Sequence, residues 1–515
     1  VLWQVQYKVK QKKRRHRVMR ASGILMPIFS LPSRYGIGSF SKSAYQFVDM
    51  LKKAGQKFWQ ILPLCPTSYG DSPYQSFSTY AGNPYFIDLD QLIEEKLLTR
   101  KECQACDFGD DPQDIDYGKL YENRFKLLRK AYERANVGED QEFEAYRREN
   151  AWWLDDYALF MAVKDQFDGV AWNEWAEDIR LRWSNAMDYY RRELYYEIEF
   201  YSYLQFVFMK QWKKLKNYAN INGIEIIGDI PIYVAFDSAD AWANPELFQF
   251  DAENLPTAVA GCPPDGFSAD GQLWGNPLYR WDYHRETGFD WWIRRIAYCS
   301  ELYDVVRIDH FRGFDEYYSI PYGDTTARNG HWEKGPGIAL FEAAKNRLGE
   351  LNIIAEDLGY ITDSVKKLVA DSGFPGMKVL EFAFDSREKS DYLPYTYEKN
   401  SVVYTGTHDN ETIAGWYAGL DKSDLKMCTD YMNIDRIPGK EYHWDFIRLA
   451  MLSVSDLCVI PIQDYLGLDN RARINHPSTL GTNWRWRLAK GQLSASLLKE
   501  IREMTRISGR LQNGE

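Results

Sequence analysis

The sequence has little of what several protein classes require. Cysteine occurs seven times in 515 residues, at scattered positions, and histidine also occurs seven times. Few and unpaired cysteines favour reduced thiols in a cytoplasmic protein over a disulfide framework. No stretch approaches about 18 consecutive apolar residues, so the sequence predicts no transmembrane helix and no membrane partner.

An excess of positive charge is also missing. The chain has 63 Lys and Arg against 74 Asp and Glu, which gives a net charge of −11. This balance argues against a nucleic acid as the main partner, because polyanion binding needs clustered basic residues. It fits a neutral or cationic ligand. Aromatic residues reach 16%, and so many favour flat apolar platforms for a ligand in addition to core packing.

Motifs of the common cofactors are absent as well. The sequence contains no GxxxxGK[ST] loop, no complete GxGxxG after a strand, no GxSxG elbow and no HExxH. We therefore predict no cofactor and no zinc centre, whereas oxygen-only ligation of Ca²⁺ or Mg²⁺ stays open because such ligands can be distant in sequence. Cys103 and Cys106 form a single CxxC, for which a structural role is favoured over zinc or redox chemistry.

The first eighteen residues differ from the rest in composition. Seven Lys and Arg lie between positions 8 and 17, and the short apolar run that follows Met19 is interrupted by Pro27. That pattern does not match a signal peptide, which needs a longer apolar region. We interpret residues 1–18 as a disordered basic leader, with a polyanion-binding arm as the alternative.

Eight short apolar runs recur along the remaining chain, and each ends in a polar or glycine-rich stretch. They are 23–27, 58–64, 224–232, 305–310, 353–359, 377–382, 402–409 and 458–465. Unbroken apolar runs are typical of parallel strands that are buried on both faces. Helical patterns lie between them, so the alternation predicts the α/β class and a (β/α)8 TIM barrel.

Two of these helices carry predicted caps. The first has apolar residues at i, i+3, i+4 and i+7 from Ala44, with Ser43 as the predicted N-cap and Gly55 as the C-cap. The second follows Thr362 as N-cap and ends at Gly373.

Two connections are much longer than the others. Residues of about 90–215 have helical spacing and predict a mainly helical insertion, whereas about 234–300 are rich in Gly, Pro, Asn and Trp and predict an irregular loop subdomain. Both begin at the carboxyl end of a strand, which is the catalytic face of such barrels. We therefore expect one barrel domain over 19–515, with both insertions as walls of the site.

Three acidic residues, Asp309, Glu356 and Asp409, each follow or end a predicted strand. The ends of the fourth, fifth and seventh strands would bring them into one pocket. Cleavage of a glycosidic bond needs one carboxyl that attacks the anomeric carbon and one that protonates the leaving oxygen. Arg307 beside Asp309 favours its anionic form. The alternatives are a solvated strand end for each acid, and core packing for the neighbouring His310 and His408.

Longer segments then carry a family resemblance. They are GDSPYQSFS at 70–78, AGNPY at 81–85, GDIPIY at 228–233, 240–248, GQLWGNP at 271–277 and NWRWR at 483–487. With these segments in this order, the chain from Met19 on resembles the amylomaltase or disproportionating-enzyme family of 4-α-glucanotransferases, glycoside hydrolase family 77. The resemblance implies transfer of an α-1,4-glucan segment to the 4-hydroxyl of glucose or another glucan, such as a maltooligosaccharide.

The resemblance also implies roles for residues. It makes Asp309 the nucleophile of a retaining mechanism with a covalent glycosyl intermediate, Glu356 the general acid/base and Asp409 the third acid. It implies no cofactor and no metal. The substrate contacts that it implies are Arg307 and His408 at the −1 sugar, Tyr74 stacking on that sugar, and Ser72, Asp265, Gln272, Trp274 and Asn475 along the glucan groove.

The sequence departs from the family pattern in two loops. Cys262 and Gly266 stand where the family commonly has a small aliphatic and an aromatic residue, which bears on stacking of the longer glucan arm. The segment around Asn475 departs from the usual Asn-x-Pro-Gly. The alternative functions are an amylase-like hydrolase that uses water as acceptor and a catalytically silent glucan-binding protein; the intact acids argue against the second.

Overall fold

Eight parallel strands close into a barrel in the order in which they occur along the chain. The computed structural model describes residues 20–68, 70–264, 268–359, 361–435 and 442–512. The strands in these ranges are β1 (Ala21–Leu25), β2 (Phe58–Gln60), β3 (Glu225–Pro231), β4 (Ala258–Cys262), β5 (Gln272–Pro277), β6 (Val305–Asp309), β7 (Glu316–Pro321), β8 (His331–Lys334), β9 (Ile353–Ala355), β10 (Gly376–Val379), β11 (Ser401–Tyr404) and β12 (Leu457–Pro461). All except β4, β5, β7 and β8 form the barrel, and each barrel strand overlaps one predicted run. The predicted (β/α)8 fold is confirmed.

Apolar side chains fill the inside of the barrel. One buried cluster draws on six barrel strands and contains Leu25, Ile227, Ile354, Met377, Val379, Val402, Tyr404 and Val459. Helices cover the outer face, so both faces of each strand are buried and the strand sequences lack alternation. Because the interior is packed, a ligand site has to lie at an end of the barrel.

The helices surround the barrel or belong to its long connections. They are α1 (Lys42–Lys53), α2 (Leu89–Glu94), α3 (Arg100–Gln104), α4 (Tyr117–Ala135), α5 (Gln141–Gln166), α6 (Glu177–Arg180), α7 (Ser184–Glu193), α8 (Tyr195–Ile221), α9 (Ala239–Ala243), α10 (Trp281–Glu286), α11 (Asp290–Leu302), α12 (Ile338–Leu348), α13 (Asp363–Ser372), α14 (Ile413–Gly419), α15 (Lys422–Met432), α16 (His443–Leu452), α17 (Ile462–Tyr465) and α18 (Ala495–Ile507). In the described part of the chain, no helix is long and apolar enough to cross a membrane.

The ends of two helices test the predicted caps. Thr362 accepts a hydrogen bond from the backbone N–H of Val365, and Gly373 ends α13 in the left-handed region at φ 73°, as predicted. The prediction of Ser43 as the N-cap of α1 is wrong, because the helix starts at Lys42 and Ser41 takes that position. Ser43 lies inside the first turn, where serine is also tolerated.

The two long connections differ in structure. Helices α2 to α8 lie between β2 and β3, in the segment for which the sequence predicts helices. The prediction of an irregular loop subdomain over about 234–300 is incomplete, because β4 and β5 pair there as antiparallel strands. They form a four-stranded sheet, ordered β5-β4-β7-β8, with two strands that follow β6. Connections that leave β3 and β6 start at the same edge of the barrel, so they can pair although they are separate in sequence.

Gly228 on β3 has no room for a side chain. A Cβ built at this buried position would lie 2.1 Å from Cγ of Tyr303. We expect Gly228→Ala to lower the free energy of unfolding by about 3 kcal/mol through overpacking, seen as a lower Tm by circular dichroism. Gly419→Ala at the end of α14 is the matched control, because nothing lies within 4 Å of its Cβ. A wild-type Tm for Gly228→Ala would contradict the tight contact between β3 and its covering helix layer.

Candidate active site

The predicted acids lie at the carboxyl edge of the barrel. Asp309 is the last residue of β6, Glu356 directly follows β9, and Asp409 lies in the loop after β11. Strands β6 and β9 pair in parallel with Ile308 opposite Ala355, so the first two acids leave the sheet side by side. The parallel register therefore gathers residues that are far apart in sequence, as strand counting predicts.

A buried arginine ties Asp309 to the interior of the barrel. Arg307 on β6 is 2% exposed. Its Nη2 lies 3.0 Å from Oδ1 of Asp309, and its Nη1 donates to Oδ2 of Asp229 at 2.6 Å. The register of β3 and β6 places Asp229 directly opposite Arg307. The planar guanidinium thus fixes two carboxylates relative to each other, which a lysine could not do.

Asp229 is a site residue that the sequence-based prediction lacks. It is completely buried, and its Oδ2 also accepts a hydrogen bond from the Tyr74 hydroxyl at 2.8 Å. Its Oδ1 has no partner among the described residues. The sequence does contain a sign that Asp229 has a special role, because this residue interrupts the apolar centre of a predicted strand. A carboxylate that is buried there needs a charged or hydrogen-bonding partner.

Aromatic rings form one wall beside the acids. The rings of Tyr74 and His408 stack with centroids 5.1 Å apart and planes 10° apart. Trp484, a second residue that the predicted set lacks, lies 5.8 Å from the Tyr74 ring and 5.9 Å from the His408 ring. Burial lowers the pKa of His408 against the opposing charge of Asp409, so a neutral imidazole faces the site near neutral pH.

Backbone N–H groups hold the carboxyl of Glu356. Its Oε2 accepts from the N–H of His310 at 2.6 Å, and its Oε1 accepts from the N–H of Leu358 at 3.0 Å. His310 adopts a left-handed backbone with φ 53°, directly after β6, and its burial lowers the pKa of its ring to about 3. Burial raises the pKa of Glu356, while Arg307 and the two N–H donors oppose that change. A raised pKa is what a carboxylic general acid requires.

The titrations of Asp309 and Glu356 depend on each other. Burial raises the pKa of Asp309, Arg307 lowers it, and the charges of Glu356, Asp229 and Asp409 raise it again, with a net upward direction. Arg307 does favour the anionic form, as the sequence predicts, but burial and the other carboxyls outweigh it. Two carboxyls in one buried site lose their protons in separate steps, so one proton is shared across the pair over a range of pH.

Asp409 is the most exposed of the three acids. Its side chain is 43% exposed, and its Oδ2 lies 3.4 Å from Nε2 of His408. Its Oδ1 accepts from the side-chain amide of Asn475 at 2.6 Å, and the backbone N–H of Asn475 donates to the carbonyl of His408 at 3.1 Å. Asn475, predicted as a glucan contact, therefore braces two site residues in this structure.

The other predicted contacts lie in the loop after β2 and on β5. The hydroxyl of Ser72 accepts from the backbone N–H of Tyr74 at 3.2 Å, which shapes the turn before that ring. On β5, the side-chain oxygen of Gln272 accepts from the indole N–H of Trp274 at 3.0 Å. Trp274 meets the ring of His310 edge-on at 4.8 Å. Strand β5 is thus joined, through Trp274 and His310, to the strand end that carries Asp309.

Part of the predicted groove falls outside the described residues. Asp265 and Gly266 belong to this part, as does the basic segment 1–18, so these stay predictions. Cys262 is half-buried on β4 opposite Gln272. Within the ranges given above, no group of three His, Cys, Asp or Glu is placed to hold a metal ion. Burial raises the pKa of the Cys103 thiol to about 11, which makes it a poor nucleophile and metal ligand.

Known proteins resemble this chain over nearly its whole length. The sequence profile of the family described as 4-alpha-glucanotransferase matches residues 26–493. The 4-alpha-glucanotransferases of Clostridium butyricum and Streptococcus pneumoniae are each 49% identical to it, over 94% and 96% of this chain and 100% and 98% of theirs. The structure of an amylomaltase from Streptococcus agalactiae in complex with acarbose matches with a TM-score of 0.93 at 44% identity, covering 96% of this chain and 100% of that one.

A closed (β/α)8 barrel with interacting carboxyls at its strand ends and an aromatic wall is typical of enzymes that act on glycosidic bonds. The chain belongs to the 4-alpha-glucanotransferase family, glycoside hydrolase family 77. The resemblance found in the sequence is therefore confirmed.

Tyr74→Phe tests the link between the aromatic wall and the buried charges. The variant keeps the stacked ring but removes the donor to Asp229, whose other oxygen already lacks a partner in the described structure. We expect kcat/KM for maltotriose to fall about tenfold, since hydrogen bonds to buried charged groups contribute strongly. Tyr80→Phe is the control, because the buried Tyr80 hydroxyl has no partner among the described residues. Equal activity of the two variants would disprove the link.

Proposed function

We propose that this enzyme transfers a segment of an α-1,4-glucan to the 4-hydroxyl of glucose or another glucan, with retention of configuration. The arrangement of Asp309 and Glu356 carries this proposal. They are carboxyls at adjacent strand ends: Asp309 is ion-paired to Arg307, whereas backbone N–H groups hold Glu356, and burial raises the pKa of both. Membership in a family of 4-alpha-glucanotransferases, and a structural relative that was solved with acarbose, support a glucan as the ligand.

The first step forms a covalent intermediate. The carboxylate of Asp309 attacks the anomeric carbon of the sugar, while Glu356 gives its proton to the departing glycosidic oxygen. One glycosidic bond breaks, one ester bond forms, and the leaving glucan acquires the proton. Arg307 keeps Asp309 oriented and stabilises its negative charge until the bond forms.

The second step reverses the roles with a new acceptor. Glu356, now a carboxylate, removes the proton from the acceptor 4-hydroxyl, and that oxygen attacks the anomeric carbon, so that the bond from this carbon to the Asp309 carboxylate breaks. Two inversions give net retention. Asp409, His408 and Tyr74 surround the sugar and stabilise the transition state through hydrogen bonds and stacking. The chain's own carboxyls supply every proton in this scheme.

Transfer rather than hydrolysis depends on the competition between an acceptor sugar and water. Acceptor binding gives the sugar hydroxyl a high effective concentration at the ester. Trp274, packed against His310 over the strand ends, lies where an aromatic platform can hold a sugar and exclude water. The same site without an acceptor subsite would be an amylase-like hydrolase. Seven free cysteines fit a reducing compartment, so a cytoplasmic location is part of the proposal.

The products of maltotriose decide between transfer and hydrolysis. Each transfer breaks one α-1,4 bond and makes another, so we expect glucose plus a series of longer maltooligosaccharides with nearly constant reducing ends. Chromatography and a reducing-sugar assay follow both quantities over time. A steady rise in reducing ends without products longer than the substrate would identify a hydrolase, and no products at all would favour a silent glucan-binding protein.

Two variants separate the roles of the carboxyls. Glu356→Gln cannot protonate a leaving sugar, but α-glucosyl fluoride leaves without protonation, so we expect this variant to accumulate a glucosyl ester on Asp309. Mass spectrometry of the intact and digested protein detects the adduct. Asp309→Asn is the matched control, since an amide is a poor nucleophile, and it should show no adduct and a loss of turnover of about a thousandfold or more. An adduct on another residue would refute the assignment.

A further inference from the structure

The loop that carries the third acid, residues 405–413, is closed by a single carboxylate. Asp464 lies on α17 directly after β12 and is 1% exposed. Its Oδ2 accepts from the Thr405 hydroxyl at 2.5 Å, and its Oδ1 accepts from the backbone N–H of Ile413 at 2.9 Å. Both oxygens of Asp464 are therefore used on the two ends of this loop.

Three residues that follow Asp464 in sequence hold other parts of the same loop. The side-chain oxygen of Asn470 accepts from the backbone N–H of Thr412 at 3.2 Å. Arg473 donates to the carbonyl of Asp409 at 2.7 Å, and Asn475 holds its carboxylate, as described above. The segment that follows β12 therefore holds the loop 405–413 at several points. In the described structure, Asp464 is the only residue of this segment that binds both ends of the loop.

Burial of the Asp464 carboxylate makes the free energy of folding less favourable. Asp464 has no ion-pair partner among the described residues, and burial raises its pKa to about 6. A second buried carboxyl, Glu381, lies under the loop, where a Cβ on Gly406 would be 2.5 Å from its Oε1. The charge of Asp464 adds to burial in raising the pKa of Glu381. Two adjacent buried acids without a cationic partner weaken a fold, so their presence at this loop points to a task other than stability.

We propose that Asp464 is a positioning residue for glucan transfer: by joining the two ends of the loop 405–413, it sets where the carboxyl of Asp409 stands relative to the reacting sugar. The inference rests on the role of Asp409 in the proposed function. Asp464 acts through the loop rather than on the substrate. A displacement of about 1 Å at a catalytic group can cost about a hundredfold in rate, so a small shift of the loop is sufficient.

The first test compares two substitutions of Asp464. Asp464→Ala removes both hydrogen bonds, and we expect kcat for maltotriose to fall about 50-fold with KM changed less than about threefold. Asp464→Asn keeps both bonds, because its amide oxygen accepts from Ile413 and its amide nitrogen donates to the Thr405 hydroxyl. It should retain kcat within about fivefold. Circular dichroism establishes that each variant is folded at the assay temperature.

A double-mutant cycle separates positioning from plain destabilisation. In the Asp409→Asn background the group to be positioned is already disabled, so Asp464→Ala should lower the residual kcat by less than about fivefold. Asp88→Ala is the matched control, since Asp88 is a buried carboxylate that caps α2, outside the site. We expect it to lower Tm but to leave kcat within about twofold.

If Asp464→Ala lowered kcat by the same factor in the wild-type and Asp409→Asn backgrounds, the positioning role would be overturned. A wild-type kcat for Asp464→Ala alone would overturn it as well. Wild-type kcat for Asp409→Asn would instead overturn the role of Asp409, so the two failures are distinct. If Asp464→Ala does not fold, Thr405→Val replaces it in the cycle, because it removes the hydroxyl that donates to Asp464 at nearly constant side-chain volume. Thr405→Ser keeps that hydroxyl and is the control.

Discussion

The site depends on one buried cation. The guanidinium of Arg307 stands between Asp229 and Asp309 inside the barrel edge, and removal of one member of such a group would leave an unpaired buried charge at a cost of about 3–5 kcal/mol. Asp229 in turn holds the Tyr74 hydroxyl, and Tyr74 stacks on His408. The aromatic wall and the carboxylate of Asp309 are therefore held by the same cation.

The three acids are positioned by different parts of the structure. Asp309 and Glu356 follow directly from paired strands, so the parallel register fixes them and backbone N–H groups complete the surroundings of Glu356. Asp409 lies on a loop, and its place depends on side chains that follow β12. Strand ends are rigid and loops are not, so the third acid is the one whose position requires dedicated contacts.

Some structural elements can be predicted from the sequence, whereas others cannot. The eight apolar runs predict the barrel because strands that are buried on both faces have unbroken apolar sequences and because helical patterns separate these runs. Thr362 and Gly373 mark the ends of α13 correctly. The predicted N-cap of α1 is wrong by two positions, because Ser41 and Ser43 both precede the same apolar spacing and the letters alone do not show where the helical backbone begins. The sheet that joins β4 and β5 to β7 and β8 also escapes prediction, since its pairs span β6.

Local pattern and contiguous motifs are enough to define the fold class and the family, and they single out Asp309, Glu356 and Asp409 as the predicted acids, because none of these inferences needs knowledge of distant contacts. The residues that support the acids emerge only in the folded chain. Asp229 and Trp484 join the site, and Asn475 braces Asp409, through contacts between segments that are distant in sequence. The raised pKa of Asp309 has the same origin, since burial and neighbouring carboxyls exist only after the barrel has closed.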